Sequence, residues 1–227
     1  MVFSLCACSS QSENIPEPTA VPTAEPTPVP TPTPTPEVLH DPGAYFEDFR
    51  LRYADESGHD IVNADLGVLH FDENGYYTSG NTDLDGQIIE LLKANVDPKT
   101  QTPMEMFKIM YDYVVWHFGY RFANMIETGS VDWEVDEALD MLENGKGNCY
   151  TYAALVTMIA RSLGYQARAI AGEFKGGTHS WCDVELDGEH FLSDAEYQAC
   201  NDVFDEMFML TYTDKRDFHY EDPAMKN

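Results

Sequence analysis

Residues 145–163 read GKGNCYTYAALVTMIARSL and run into Gly164. The stretch opens with two glycines around a lysine, places Asn148 and Cys149 at a polar-to-apolar boundary, and is then apolar on nearly every side. That pattern predicts a buried central helix from Cys149 to Leu163, stopped by Gly164. Downstream the period changes. Segments 166–174, 178–186 and 190–194 are short and separated by Lys175-Gly176-Gly177 and Asp187-Gly188, which predicts three strands joined by tight turns. Upstream the helical period holds. Leu84, Ile88, Leu91 and Leu92 mark a helix over 83–96. Met106, Ile109, Met110, Tyr113 and Val114 mark another over 103–118, opened by Thr102-Pro103. A third, over 134–144, is amphipathic through Val135, Ala138 and Leu142 and ends at Gly145. Asn74-Gly75 marks a hairpin within 67–78. Helices followed by an antiparallel sheet define an α+β class, with the buried helix packed on the sheet.

The chain has 227 residues, 43% of them apolar, and carries 13 Lys+Arg against 40 Asp+Glu, a formal net charge of -27. Such a balance excludes nucleic acid as a partner and direct docking on anionic lipid, both of which need basic patches. The sequence has no internal run of the ~18–20 apolar residues that span a bilayer. Residues 16–36, PEPTAVPTAEPTPVPTPTPTP, hold 9 of the 13 prolines and contain nothing to bury, so an extended polyproline-like spacer is expected there. Before it, Leu5-Cys6-Ala7-Cys8 resembles a bacterial lipobox with Cys8 as the lipidation candidate. The apolar stretch ahead of it is shorter than a signal core and lacks a basic start, as in a truncated signal. The expected organisation is a signal-like tail (1–15), a Pro/Thr-rich linker (16–40) and one domain (41–227). It implies an extracellular or cell-surface location, with the membrane reached only through the lipid anchor. The sequence leaves the oligomeric state open.

Among the residues that could carry chemistry, Cys149 stands out because it starts a helix, where free N–H groups and the helix dipole favour a thiolate. His179 lies on the second strand beside the glycine-rich turn, and Asp194 closes the third. The Asp187-Gly188 turn would bring those two strands side by side and place His179 and Asp194 near one sheet edge. Alternation puts His179, Trp181, Asp183 and Glu185 on one face and Ser180, Cys182, Val184 and Leu186 on the other. Cys182 therefore points away from His179 as a packing residue, and a Cys182–Cys200 disulfide is the alternative for it. The Cys149 N–H is the expected oxyanion donor. Asn148 is a second candidate donor and substrate contact, and Trp181 is a wall of the site or part of the core. Trp116, Tyr120 and Trp133 lie upstream, where a side-chain donor could originate, or belong to core and rim. The histidines lack ligand spacing, so neither a metal set nor a cofactor is expected.

The segments GKGNCYTYAALVTMIARSLGYQARAIAG, HSWCDVELDG and FLSDAE together resemble the core of the transglutaminase-like superfamily, relatives of the papain-like cysteine proteases. ENGYYTSGNTDLDG and IMYDYVVWHFGYR look like segments of secreted or surface-bound versions from Gram-positive bacteria. The resemblance implies a papain-like core with Cys149 as nucleophile, His179 as general base and then acid, and Asp194 as the orienting carboxylate. It departs from the family where Asp194-Ala195 replaces the frequent Asp-Pro. The implied activity is acyl transfer on protein or cell-wall peptide amides, to water or to an amine. A surface-displayed binding module that keeps the fold without turnover is the reading from another class.

Overall fold

The computed structural model describes residues 38–122, 125–201, 206–213 and 220–223. The tail, the Pro/Thr-rich stretch and Cys8 lie outside these residues. In chain order the body opens with hairpin β1 (Gly43–Glu47) and β2 (Arg50–Ala54), then a three-stranded meander of β3 (Ala64–Leu66), β4 (Leu69–Phe71) and β5 (Tyr77–Thr78). Helices α1 (Thr82–Asn95) and α2 (Pro103–His117) follow, then β6 (Gly119–Tyr120), α3 (Glu134–Asn144) and β7 (Lys146–Gly147). The central helix α4 (Cys149–Ser162) leads into β8 (Gln166–Phe174), β9 (Gly177–Leu186) and β10 (Glu189–Ser193). A short α5 (Ala195–Cys200), β11 (Leu210–Thr211) and β12 (Tyr220–Glu221) complete it.

Local chemistry accounts for these boundaries. The Asn81 side chain caps α1, and Thr102 with Glu105 forms a reciprocal capping box ahead of Pro103 in α2. Gly145 ends α3 in the left-handed conformation, with its N–H donating to the Met141 carbonyl. The β8–β9 and β9–β10 turns each place two successive residues at positive φ: Lys175 (51°) with Gly176 (78°), and Asp187 (55°) with Gly188 (80°). These are the twisted two-residue turns that antiparallel hairpins favour.

The main sheet runs β11-β10-β9-β8-β12 with every neighbouring pair antiparallel. One face carries Ala167, Ala169, Ala171, Cys182 and Val184, and it shares a single buried cluster with α4 and the helices around it. Small alanines on β8 let the helix backbone approach closely. The other face carries Ile170, Trp181 and Leu192 under Leu210, Tyr212 and Tyr220. The alternation expected along β9 is therefore met, with Trp181 on the face opposite Cys182 and Val184.

Several features depart from the expectation. Hairpin β1–β2 gives no turn signal because its turn is Asp48-Phe49, both at positive φ, a conformation a phenylalanine rarely adopts. Strands β11 and β12 are two residues each, too short to display a period. Asp194 does not end a strand. It is the N-cap of α5, where its side chain accepts from the Tyr197 N–H.

Two glycines make opposite predictions. A Cβ on Gly172 would lie 2.4 Å from Trp181 Cη2 and 2.7 Å from the Glu221 carbonyl oxygen. Gly172→Ala is expected to lower stability by ~1–3 kcal/mol through overpacking. Gly86 lies inside α1, and nothing stands within 4 Å of the point a Cβ would occupy, so its replacement by Ala should add ~0.5–1 kcal/mol. Urea denaturation midpoints moving in opposite directions would meet this expectation.

Candidate active site

The site begins where α3 hands over to α4. β7 pairs in parallel with β6, placing Tyr120 beside Gly147, and the Arg121 N–H donates to the Gly147 carbonyl at 2.8 Å. Only glycine fits at 147, since a Cβ there would come 1.7 Å from Thr151 Oγ1 and 2.8 Å from Met141 Sδ. The tight passage delivers Asn148 to the cap position, where its side-chain oxygen accepts from the N–H groups of Tyr150 (3.1 Å) and Thr151 (3.4 Å). Cys149 follows as the first helical residue, and its own N–H is not among those that Asn148 takes. Cys149 is 9% exposed and Asn148 3%. The buried Asn148 side chain thus caps the helix.

His179, Asp194 and Cys149 come together. The His179 ring, 8% exposed, is hydrogen-bonded through Nε2 to Asp194 Oδ2 at 2.6 Å, and the Cys149 side chain lies close enough to act on its charge. Pairing of Ser193 with Cys182 sets the β9–β10 register, and the start of α5 then turns the Asp194 carboxylate onto the imidazole. Asp194 is 1% exposed and fully engaged: Oδ2 also accepts from the Tyr220 hydroxyl at 2.7 Å, and Oδ1 accepts from the Tyr197 N–H at 2.9 Å. Burial opposes a charge on His179, but the Asp194 carboxylate and the Cys149 sulfur outweigh it and raise its proton affinity well above that of an ordinary histidine.

Aromatic rings seal this pair from water. Phe174 lies tilted 5.3 Å from the His179 ring and stacks on Tyr220 at 4.5 Å, while Trp181 meets Tyr220 edge-on at 5.0 Å. Trp181 is 0% exposed, and its indole N–H donates to the Tyr212 hydroxyl at 2.8 Å. It therefore shields the His179–Asp194 hydrogen bond from within, as part of the core. The upstream aromatics separate. Trp133 is buried and donates to the Ser130 carbonyl, Trp116 is exposed on α2, and half-exposed Tyr120 is close enough to feel the charges of Glu196 and Cys149.

Cys149, Cys182 and Cys200 are all free thiols, so the alternative of a Cys182–Cys200 disulfide is set aside. Cys182 is wholly buried on the sheet face against α4, whereas Cys200 is exposed. Burial, then the Glu196 charge, pushes the Cys200 thiol up to about 12. Glu196, the next candidate after Asp194 for an orienting carboxylate, lies beside the pair, and Tyr220 was not anticipated, since a two-residue strand leaves no periodic signal. His179, Asp194 and Glu196 also form the one group among the described residues with metal-ligand donor types close together, their atoms within 4.8 Å of one another. Residue spacing in the sequence does not reveal that set. Its His179 and Asp194 atoms are already bonded to each other.

The raised imidazole carries a stability consequence with a definite sign. A group whose folded proton affinity exceeds its unfolded one contributes fully below the unfolded value, ~6.5 for histidine, and loses that contribution as pH rises through the folded value. The gap in urea midpoint between the wild type and Asp194→Asn, which keeps a capping side chain, should be widest at pH 5–6.5 and close toward the alkaline end. In NMR titration the His179 ring should stay protonated through pH 8 in the wild type and lose its proton at lower pH in Asp194→Asn.

No curated protein matches the chain. A family model does, over a segment that contains α2, α3, α4 and the three central strands together with Cys149, His179 and Asp194. That model implies a papain-like core, in keeping with the mixed helix and sheet observed. The matched segment, residues 91–202, is similar to the transglutaminase-like superfamily.

Proposed function

We propose that the protein transfers acyl groups from protein or peptide amides through a Cys149 thioester, with His179 as proton carrier and Asp194 as the carboxylate that orients it. The observation that carries this reading is the single imidazole held between a buried carboxylate, 2.6 Å from Nε2, and the cysteine at the start of α4. Supporting it, the chemistry needs a sulfur that can ionise, a proton carrier with a fixed ring orientation, and N–H donors near the sulfur.

In the proposed sequence the Cys149 sulfur attacks the amide carbon, a C–S bond forms, and the oxyanion is received at the helix start by the Cys149 N–H. Collapse breaks the C–N bond, and the His179 proton goes to the departing amine or ammonia. Water or an amine then attacks the thioester, giving its proton to His179 as the C–S bond breaks. Water makes the enzyme an amidase or peptidase, and an amine makes it a transglutaminase. The protein substrate, or a cell-wall peptide, would be met at the cell surface if Cys8 carries a lipid and the Pro/Thr-rich stretch spaces the domain from the membrane. Among the described residues no helix is long and apolar enough to cross a membrane.

Ammonia or amine release from peptide amides, run in parallel with dansyl-cadaverine incorporation, tests the reading. Cys149→Ala should abolish both while leaving the melting temperature within a few degrees, because removing one small sulfur at a helix start costs little packing. His179→Ala should slow turnover ~10²–10⁴-fold, and Asp194→Ala less, because the carboxylate orients the ring without itself passing the proton. Turnover surviving in Cys149→Ala would move the chemistry elsewhere. Inactivity of the wild type, together with iodoacetamide labelling of Cys149 at the rate of an ordinary thiol, would make the domain a binding module.

A further inference from the structure

Glu196, two residues beyond Asp194 on α5, has no part in the proton chemistry above. Its carboxylate lies within 4.8 Å of a His179 ring nitrogen and an Asp194 oxygen. Unlike Asp194 it is only half-buried, so solvent and ligands reach it. The cation acting on it among the described residues is His179, which Asp194 already balances, and its remaining partner there is the neutral Cys200 thiol. Half-exposed Tyr120 is close enough to feel both Glu196 and Cys149, which sets the two in one neighbourhood. With the imidazolium balancing Asp194, the Glu196 charge is left over beside the His179 ring, on which Cys149 also acts.

We propose, on the reading of Cys149 as the nucleophile, that Glu196 makes this site select substrates bearing a primary ammonium within about one side chain's length of the carbonyl under attack. A partly desolvated carboxylate with no lysine or arginine partner among the described residues is a ready counter-ion for such a group. The ammonium has two possible sources: a lysine flanking the attacked amide, or the second amino group of a diamine or lysine-like acceptor arriving at the thioester. The surface as a whole is acidic and attracts cations at long range. Glu196 instead acts at a fixed distance from the sulfur, and that separates the two effects experimentally.

The test uses the full chain carrying Cys200→Ser and three methanethiosulfonates of similar size, ending in ammonium, methyl or sulfonate. Each reacts when the Cys149 thiolate attacks the sulfenyl sulfur, forming S–S and releasing methanesulfinate, and mass mapping reports the rate at Cys149 alone. One unit charge ~6 Å from the ammonium at an effective dielectric of ~40 favours the cationic reagent over the neutral one by roughly tenfold. Glu196→Gln should bring that ratio close to one, whereas Glu189→Gln, an exposed acid at the far end of β10, should leave it intact. A ratio unchanged by Glu196→Gln overturns the proposal. So does an equal change in all three rates, which would mean that Glu196 acts on the sulfur and not on the incoming charge. Slow labelling by the neutral reagent, with the charge ratio still readable, would instead sink the nucleophile reading.

In turnover, a rise in KM for lysine-flanked over norleucine-flanked amide peptides in Glu196→Gln would assign the ammonium to the acyl donor. Lost preference for a diamine over hydroxylamine as acceptor would assign it to the acceptor. No effect on either ratio would overturn the proposal.

Discussion

The buried hydrogen bond between His179 and Asp194 is the constraint that the sheet side of the site serves. A carboxylate that is 1% exposed is costly to desolvate and becomes tolerable only when its lone pairs are filled. Here an imidazole, a tyrosine hydroxyl and a helix-start N–H fill them. Each partner is in turn fixed. The imidazole is walled by Phe174 and Trp181, Trp181 is tethered through Tyr212 to buried Asp183, and Asp183 also takes Arg168 and His190. Removing Asp194 would leave a buried tyrosine hydroxyl and a helix end without acceptors, so the consequences would spread beyond one side chain.

The helix side meets a different demand. A cysteine at a helix start keeps the helix end open beside it only if the chain ahead of it leaves sharply. Gly145 reverses direction in the left-handed region, and Gly147 passes under Thr151 and Met141 where no Cβ fits. Asn148 then takes the second and third N–H groups of the helix, so the dipole end stays open at Cys149 itself. The Gly-x-Gly-Asn-Cys run is thus a steric and hydrogen-bonding solution before it is a chemical one.

Much of this was legible in the sequence because it rests on local rules. The bounds of α3 follow from amphipathic spacing and a glycine stop, and β8, β9 and β10 follow from alternation between two-residue turns. Cys149, His179 and Asp194 were identifiable through a helix start and two adjacent strands. Long-range burial was not legible. Alternation placed Trp181 on the face of His179, but whether that face meets water depends on Tyr212 and Tyr220, which lie 31 and 39 residues further along the chain. Asn148 was read as a donor because a polar residue beside a candidate nucleophile invites a functional role, and its two N–H partners place it at the helix cap. Glu196 sits in a six-residue helix whose existence depends on Asp194 serving as its cap.

The tie between Asp194 and Tyr220 spans 26 residues and adds a matter of timing. A chain growing on the ribosome acquires its cysteine, its histidine and its carboxylate well before residue 220 is added. Until β12 pairs with β8, Asp194 lacks one of the donors that hold it and Trp181 lacks its edge contact. The sulfur is therefore present from an early stage, while its fully seated partners arrive only with β12. Among the described residues, then, the packing around the His179–Asp194 pair is completed from the C-terminal side, after the segments that carry the pair have been synthesised.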